Sequence, residues 1–299
     1  MKKFYTAIAA GSLTLALTAC GTSDEEGTDE SAGDAPEETE ETGDEGDDEA
    51  AQDGETQSLV VGASNVPHAE ILEYATDLLE EEGIELQIQT FNDYVMPNQA
   101  LDLDELDANY FQHIPYLESQ IEEHGYDFEN VGGVHIEPMG GYSQEYGSLA
   151  DLPEDAHVIM SDSVADHGRV LSLFEAEGLI TIADGIDPIY ATIDDIDENP
   201  NNFDFDPSYE AALLPQAFDV GEGDVVFINS NYAIDNDLNP VDDSIVVESG
   251  EDNPYVNVIA VKAENQEDEN IQTLVDVLQS DDVKQFIEDQ YEGAVLPAE

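Results

Sequence analysis

The chain has 299 residues, of which 73 are Asp or Glu and only five are Lys or Arg, giving a formal charge of −68. With no basic stripe to displace counterions from phosphates, nucleic acid binding is excluded. The acids run along the whole chain rather than forming a tail, which points to a halophilic setting: at 1 M salt the Debye length falls to about 3 Å and self-repulsion is screened.

In chain order, Lys2 and Lys3 precede an apolar and small-residue stretch from Phe4 to Leu17. That stretch is too short for a spanning helix of about 20 residues and reads as a signal peptide over 1–19. It ends in Leu17-Thr18-Ala19-Cys20, which resembles the lipobox of bacterial lipoproteins, and Cys20 is the sole cysteine. The resemblance implies cleavage before Cys20 and lipid on its sulfur, which places the protein on the extracytoplasmic face of the cell membrane. A single thiol leaves no internal disulfide to form in an oxidising compartment. Beyond Cys20, up to residue 58, the chain has no aromatic and no large aliphatic residue. It cannot bury a core, and like-charge repulsion is expected to make it a disordered acidic tether.

The composition changes at Leu59. Ser58 to Gly62 predicts a short strand, and Ala69 to Gly83 a helix with Ile71, Leu72, Ala75, Leu78 and Leu79 on one face and Gly83 to stop it. Ile84, Leu86 and Ile88 then alternate with polar residues as a second strand. Residues 114–124 read as a helix, and a strand at 157–160 is followed by a helix over 168–179. Short apolar strands are predicted at 225–228 and 256–262. Near the C-terminus Ile271, Leu274, Val275 and Leu278 share a helical face, and Val283, Phe286 and Ile287 resume it after a break near Ser280. Strands alternating with helices over roughly 240 residues predict an α/β protein in two lobes.

Arg169 is the only arginine. Its planar fork matches a carboxylate in bidentate fashion and keeps its charge at any working pH. Asp166-His167-Gly168 ahead of an apolar run reads as a helix entrance, where backbone N–H groups also favour an anion. The competing reading is an ion pair with one of the many acids, a contact that contributes only about 0–1 kcal/mol when exposed.

The segments VGASNVPHAEIL (61–72), DYVMPNQAL (93–101), LDANYFQHIPYLE (106–118), VGGVHIEPMG (131–140), FINSNYA (227–233), NPYVNVIAV (253–261) and YEGAVLP (291–297) occur in order. From about residue 59 to the end the chain thereby resembles the methionine-binding lipoproteins of bacterial ABC importers, the NlpA/MetQ type. The resemblance implies a bilobed periplasmic-binding-protein fold of type II character: two parallel or mixed sheets flanked by helices and joined by two crossovers. It implies one lobe from 59–139 with 246–299 and another from 140–245. It further implies a monomer that takes up methionine, or a close derivative of either hand, without a cofactor or chemical step, and delivers it to a permease and ATPase complex. Carried onto this sequence, the side-chain pocket matches Tyr94, Phe111, His113 and Tyr116, and the amino-acid head group matches Arg169, Asn229 and Asn257. Arg169→Ala is therefore expected to abolish methionine binding and leave the fold intact.

Without the resemblance, Phe111 and Tyr116 read as core residues, His113 as a structural histidine, and Asn229 and Asn257 as turn braces. Where the family commonly shows Asn-Asp-Pro-Ser-Asn-x-Gly-Arg, this chain has Asp162-Ser163-Val164-Ala165-Asp166-His167-Gly168-Arg169. The added carboxylate of Asp166 stands near Arg169 and would compete with a ligand's. Phosphate-cradling glycine loops, the Gly-x-Ser-x-Gly elbow and His-Glu-x-x-His are missing from the sequence, which speaks against an enzyme. Two alternatives remain beside methionine capture. One is a zinc-type receptor using His68, His113 and His135 with a carboxylate, and the other a surface lipoprotein with no transport role.

Overall fold

The computed structural model describes residues 57–298. The signal peptide, Cys20 and the tether up to residue 56 lie outside the described residues. Among the described residues no helix is long and apolar enough to cross a membrane.

The first run of elements is β1 (Gln57–Ser64), α1 (Glu70–Glu81), β2 (Ile84–Phe91), α2 (Met96–Asp102), β3 (Ala108–His113), α3 (Ile114–His124) and β4 (Phe128–Ile136). A second run follows: β5 (Gly140–Tyr142), β6 (His157–Ser161), α4 (Val164–Ala176), β7 (Thr181–Ile182), β8 (Ile196–Glu198), β9 (Asp204–Tyr209), α5 (Leu214–Asp219), β10 (Val225–Ile228), α6 (Ser230–Asp235) and β11 (Val246–Val247). The chain closes with β12 (Val256–Lys262), α7 (Glu269–Leu278), α8 (Asp281–Tyr291) and β13 (Leu296–Pro297).

Two mixed sheets result. One has the order β13-β4-β12-β3-β1-β2, the other β11-β5-β10-β6-β9. In the first, β1 pairs in parallel with β2 and β3, whereas β12 and β13 run antiparallel to their neighbours. In the second, β6 is parallel to β9 and β10 while β5 is antiparallel. The chain therefore passes between the sheets twice, through residues 137–139 and again through residues 248–255.

Period-3.6 patterning puts α1 on the first sheet. Ile71, Leu72, Ala75 and Leu79 are buried against Leu59, Val61 and Ala63 of β1, while Glu73, Asp77, Glu80 and Glu81 face solvent. The same core takes Ile271, Leu274, Val275 and Leu278 of α7 and Val283 and Ile287 of α8. Each such aliphatic side chain contributes about 1.5–3 kcal/mol of burial, and truncating the fully buried Leu72 or Leu274 to alanine would cost about 2–5 kcal/mol. The break predicted near Ser280 is an N-cap: the Ser280 side chain accepts from Val283 N, as Asp268 accepts from Asn270 N at the start of α7. A second core, around Phe174, Phe203 and Phe227, lies under β6 and α4.

One boundary differs from expectation. The helix read as beginning at Gly168 begins at Val164, with Ser163 before it, so Asp166, His167 and Gly168 lie inside α4. Arg169 is thus in the second turn, beyond reach of the unpaired N–H groups of a helix entrance. Gly168 is there for space. A Cβ on it would stand 2.2 Å from the Pro188 carbonyl oxygen and 2.8 Å from that of Ile189, so only glycine lets α4 lie directly on that turn.

Several turns elsewhere place Asp or Asn where glycine is the usual choice. Asp104, Asp155, Asn202, Asp237 and Asp252 all have φ between 54° and 62°, the left-handed region that Asp and Asn tolerate better than other side chains.

Candidate functional site

All seven residues singled out in the sequence line one cavity between the two sheets, with about 380 Å³ of empty space counting what is open to solvent. Tyr94 comes from the β2–α2 loop, Phe111 and His113 from β3, Tyr116 from α3, Arg169 from α4, Asn229 from the end of β10 and Asn257 from β12. Gln112, Glu137, Asp166, Ser230 and Asn231 line it as well.

One wall is aromatic. The ring centroids of Tyr94 and Tyr116 are 5.9 Å apart, those of Tyr94 and Phe111 6.1 Å, and those of Phe111 and Tyr116 6.1 Å. The Tyr94 hydroxyl donates to Asn231 Oδ1 at 2.5 Å and the Tyr116 hydroxyl to the Tyr94 carbonyl at 3.0 Å. Burial pushes both phenols above the ordinary tyrosine range, so they stay neutral. His113 ends β3 and caps α3: its Nδ1 accepts from Tyr116 N at 3.1 Å, which leaves Nε2–H to donate to Asp166 Oδ1 at 3.3 Å. The two contacts together fix the tautomer.

The opposite wall is polar and buried. Asp166 is 2 % exposed and Arg169 4 %. Arg169 Nη2 donates to the Glu137 carbonyl at 2.7 Å and to Glu248 Oε2 at 2.5 Å, its Nε reaches Glu248 Oε1 at 3.0 Å, and its Nη1 lies 3.7 Å from Asp166 Oδ1. The guanidinium also sits 4.5 Å from the centre of the Tyr255 ring. Glu137 and Glu248 belong to the two passages between the sheets, so one arginine of α4 ties both. The exposed ion pair weighed for Arg169 gives way to a buried one, because α4 carries the guanidinium under the second passage. Asn229 Nδ2 donates to Asp166 Oδ2 at 3.1 Å, and Asn229 Oδ1 is buried with no partner. Burial alone would raise the Asp166 carboxyl. The hydrogen bond and charge of His113, then Arg169 and Asn229, outweigh it and hold the group below the ordinary range.

Beneath the cavity, Glu137 Oε1 accepts from His135 Nε2 at 2.8 Å and lies 3.3 Å from His68 Nε2, while Oε2 accepts from Asn231 N at 2.9 Å. His68 Nε2 is also 3.0 Å from Asn257 Oδ1, and His135 Nδ1 meets the Tyr110 hydroxyl. Burial lowers His68 to about 4 and His135 to about 3, and pushes Glu137 upward. The ligand atoms of His68, His135 and Glu137 lie within 4.8 Å of one another. These are donor types that suit zinc, but His113, the third histidine of the metal reading, is not among them. It is held by Asp166 and the α3 cap. Both imidazoles point at the same Glu137 oxygen, and His68 Nδ1 is buried with no partner.

Sequence reasoning passed over Gln112, Glu137, Ser230 and Asn231 as site residues. Glu137 stands inside the quoted VGGVHIEPMG segment and Asn231 inside FINSNYA, so the signal was present. Glu248 carried none, being one acid among 73.

The model of the family described as NlpA lipoprotein matches residues 59–299, and the chain belongs to that family. It is 48% identical over 240 residues to the methionine-binding lipoprotein MetQ of Bacillus subtilis, spanning 80% of this chain and 87% of that one. A nutrient binding protein from Burkholderia cenocepacia, solved bound to methionine, superposes with a TM-score of 0.76 at 36% identity, covering 81% of this chain and 100% of the other. An ABC transporter periplasmic substrate-binding protein from Coxiella burnetii gives 0.75 at 34% identity, covering 80% and 100%.

Proposed function

We propose that this protein is an extracytoplasmic solute-binding lipoprotein that captures methionine, or a close derivative, and hands it to an ABC importer. The observation that carries the reading is the cavity itself: an aromatic wall from the first sheet and its helices, with Asn257 of the same sheet beside it, faces the buried Arg169, Asp166 and Asn229 of the second. A polarisable sulfur gains about 0.3–1.5 kcal/mol from each well-placed aromatic edge. The name of the Bacillus relative and the methionine in the Burkholderia protein support the choice of ligand. The Coxiella protein, by name a substrate-binding component of an ABC transporter, supports the transport role.

In this reading the two lobes are residues 59–139 with 246–299 and residues 140–245, the second taking the edge strand at Val246–Val247. Closure is a population shift driven by contacts that need both walls at once. Tyr94, Phe111, His113 and Tyr116 hold the side chain, and Arg169 Nη1 with Asn229 and Asn257 meets the head group. The protein works as a monomer, breaks no bond, and is held to the membrane by lipid on Cys20 through the 20–58 tether.

The test is mass spectrometry of the small molecule released when the purified chain is unfolded. Methionine or a methionine derivative is the expected finding. A copurified solute without a thioether, together with no calorimetric response to methionine, would end the proposal.

A further inference from the structure

Two features of the polar wall bear on which charged end of the ligand is held. Arg169 spends Nε and Nη2 on Glu248 and on the Glu137 carbonyl, leaving only Nη1 toward the cavity, and that edge already lies 3.7 Å from Asp166. Its charge is therefore shared by two buried carboxylates before any ligand arrives. Asp166 in turn has accepted one hydrogen bond on each oxygen, from His113 and from Asn229, and a carboxylate has about four acceptor positions. Beside it, Asn229 Oδ1 is buried, lines the cavity and has no donor. The amide orientation follows from the structure, because the Asn229 NH2 must face the Asp166 carboxylate. Both groups ask for a donor, and a ligand carboxylate has none to give. An ammonium has three and a positive charge.

We infer that the α-ammonium of the ligand is the charged end this site selects, held by Asp166 and Asn229 Oδ1, with the ligand carboxylate secondary. The inference rests on the methionine reading and narrows it: free amines are taken, including those whose carboxylate is masked, and N-acylated ones are refused. Asp166 is the specificity-determining residue. An amide there would remove the charge and turn one of its two acceptor oxygens into a donor.

Calorimetric titration of the full chain, freed of bound solute and kept in molar salt so that the acidic surface does not attract cations unspecifically, tests this with three probes. Methionine has both charges, methionine amide keeps only the ammonium, and N-acetylmethionine keeps only the carboxylate. The expected order is methionine amide at least as tight as methionine, and N-acetylmethionine weaker by about tenfold to a hundredfold, the span of one charge-assisted hydrogen bond. In Asp166→Asn the ratio of methionine to N-acetylmethionine affinity should fall by about tenfold or more, a change in preference that a merely structural role would not produce. N-acetylmethionine binding as well as methionine, or an unchanged ratio in Asp166→Asn, overturns the inference and leaves the methionine reading standing. If none of the three probes binds, the methionine reading itself fails and takes the inference with it.

Discussion

Arg169→Ala should unfold the protein more readily as well as empty its cavity. The side chain is 3% exposed and its partner Glu248 9%, and the guanidinium fastens both passages between the sheets. Removing it strands the Glu248 carboxylate and weakens the balance that keeps Asp166 ionised. Breaking a buried pair from one side costs about 3–5 kcal/mol. For a folded unit of this size each kcal/mol moves the melting temperature by about 2–4 °C, so the fall should be about 6–20 °C. Far-UV circular dichroism melts in molar salt read it directly. The double variant Arg169→Met with Glu248→Gln, which removes both charges, should recover a large part of the loss. A single variant melting within about 2 °C of the parent would refute the argument, since the stranded carboxylate would then cost under about 1 kcal/mol. The sequence-based expectation of an intact fold after this substitution weighed only an exposed ion pair beside the ligand contact, and the pair is buried.

Acid should destabilise the fold. His68 and His135 are held neutral by burial, lowered to about 4 and about 3. Between the ordinary histidine value and those values the unfolded chain binds more protons, so stability falls as pH drops from about 6.5. Asp166, held low, adds a loss at still lower pH, whereas Glu137, pushed up by burial, works in the opposite sense. Two imidazoles outweigh one carboxyl, and a urea midpoint in molar salt that stays level from about pH 7 to about pH 4.5 would contradict this. Thermal stability should climb steeply from dilute buffer to molar salt, and a flat profile would remove the halophilic interpretation. Gly168→Ala should cost about 1–3 kcal/mol, and because Arg169 follows it directly and Asp166 lies two residues before it, methionine titration should weaken in parallel. Stability and affinity both matching the parent would show that the 188–190 turn yields freely.

The elements legible in the sequence were those with a clean period. Helix 114–124 and strands 225–228 and 256–262 fall where the apolar spacing put them, because each buries one side or both with no competing signal. The start of α4 was misplaced because Asp166 looks like a cap, and nothing local reveals that a buried carboxylate can sit mid-helix once His113 and Asn229, far away in sequence, supply its donors. Strand β5 has only three residues, and β9, with the sequence DFDPSY, carries a proline and acids in place of an apolar run, so the existence of both depends on partners. At the site, residue type and family resemblance located the cavity lining. What they could not show was connectivity, since whether Arg169 points at a ligand or at Glu248 depends on how two distant segments fold beside it.

The turn-forming aspartates have a practical implication for anyone lowering the negative charge of this protein. Swapping acids for lysines on the outer faces of α1, such as Glu73, Asp77 and Glu80, leaves backbone geometry untouched. Asp104, Asp155, Asp237 and Asp252 are different: there the carboxylate residue also shapes the chain, and a lysine would bring strain along with its charge. Asparagine or glycine is the replacement at those corners, so lowering the charge of this molecule is a problem of two vocabularies, one for surface and one for bends.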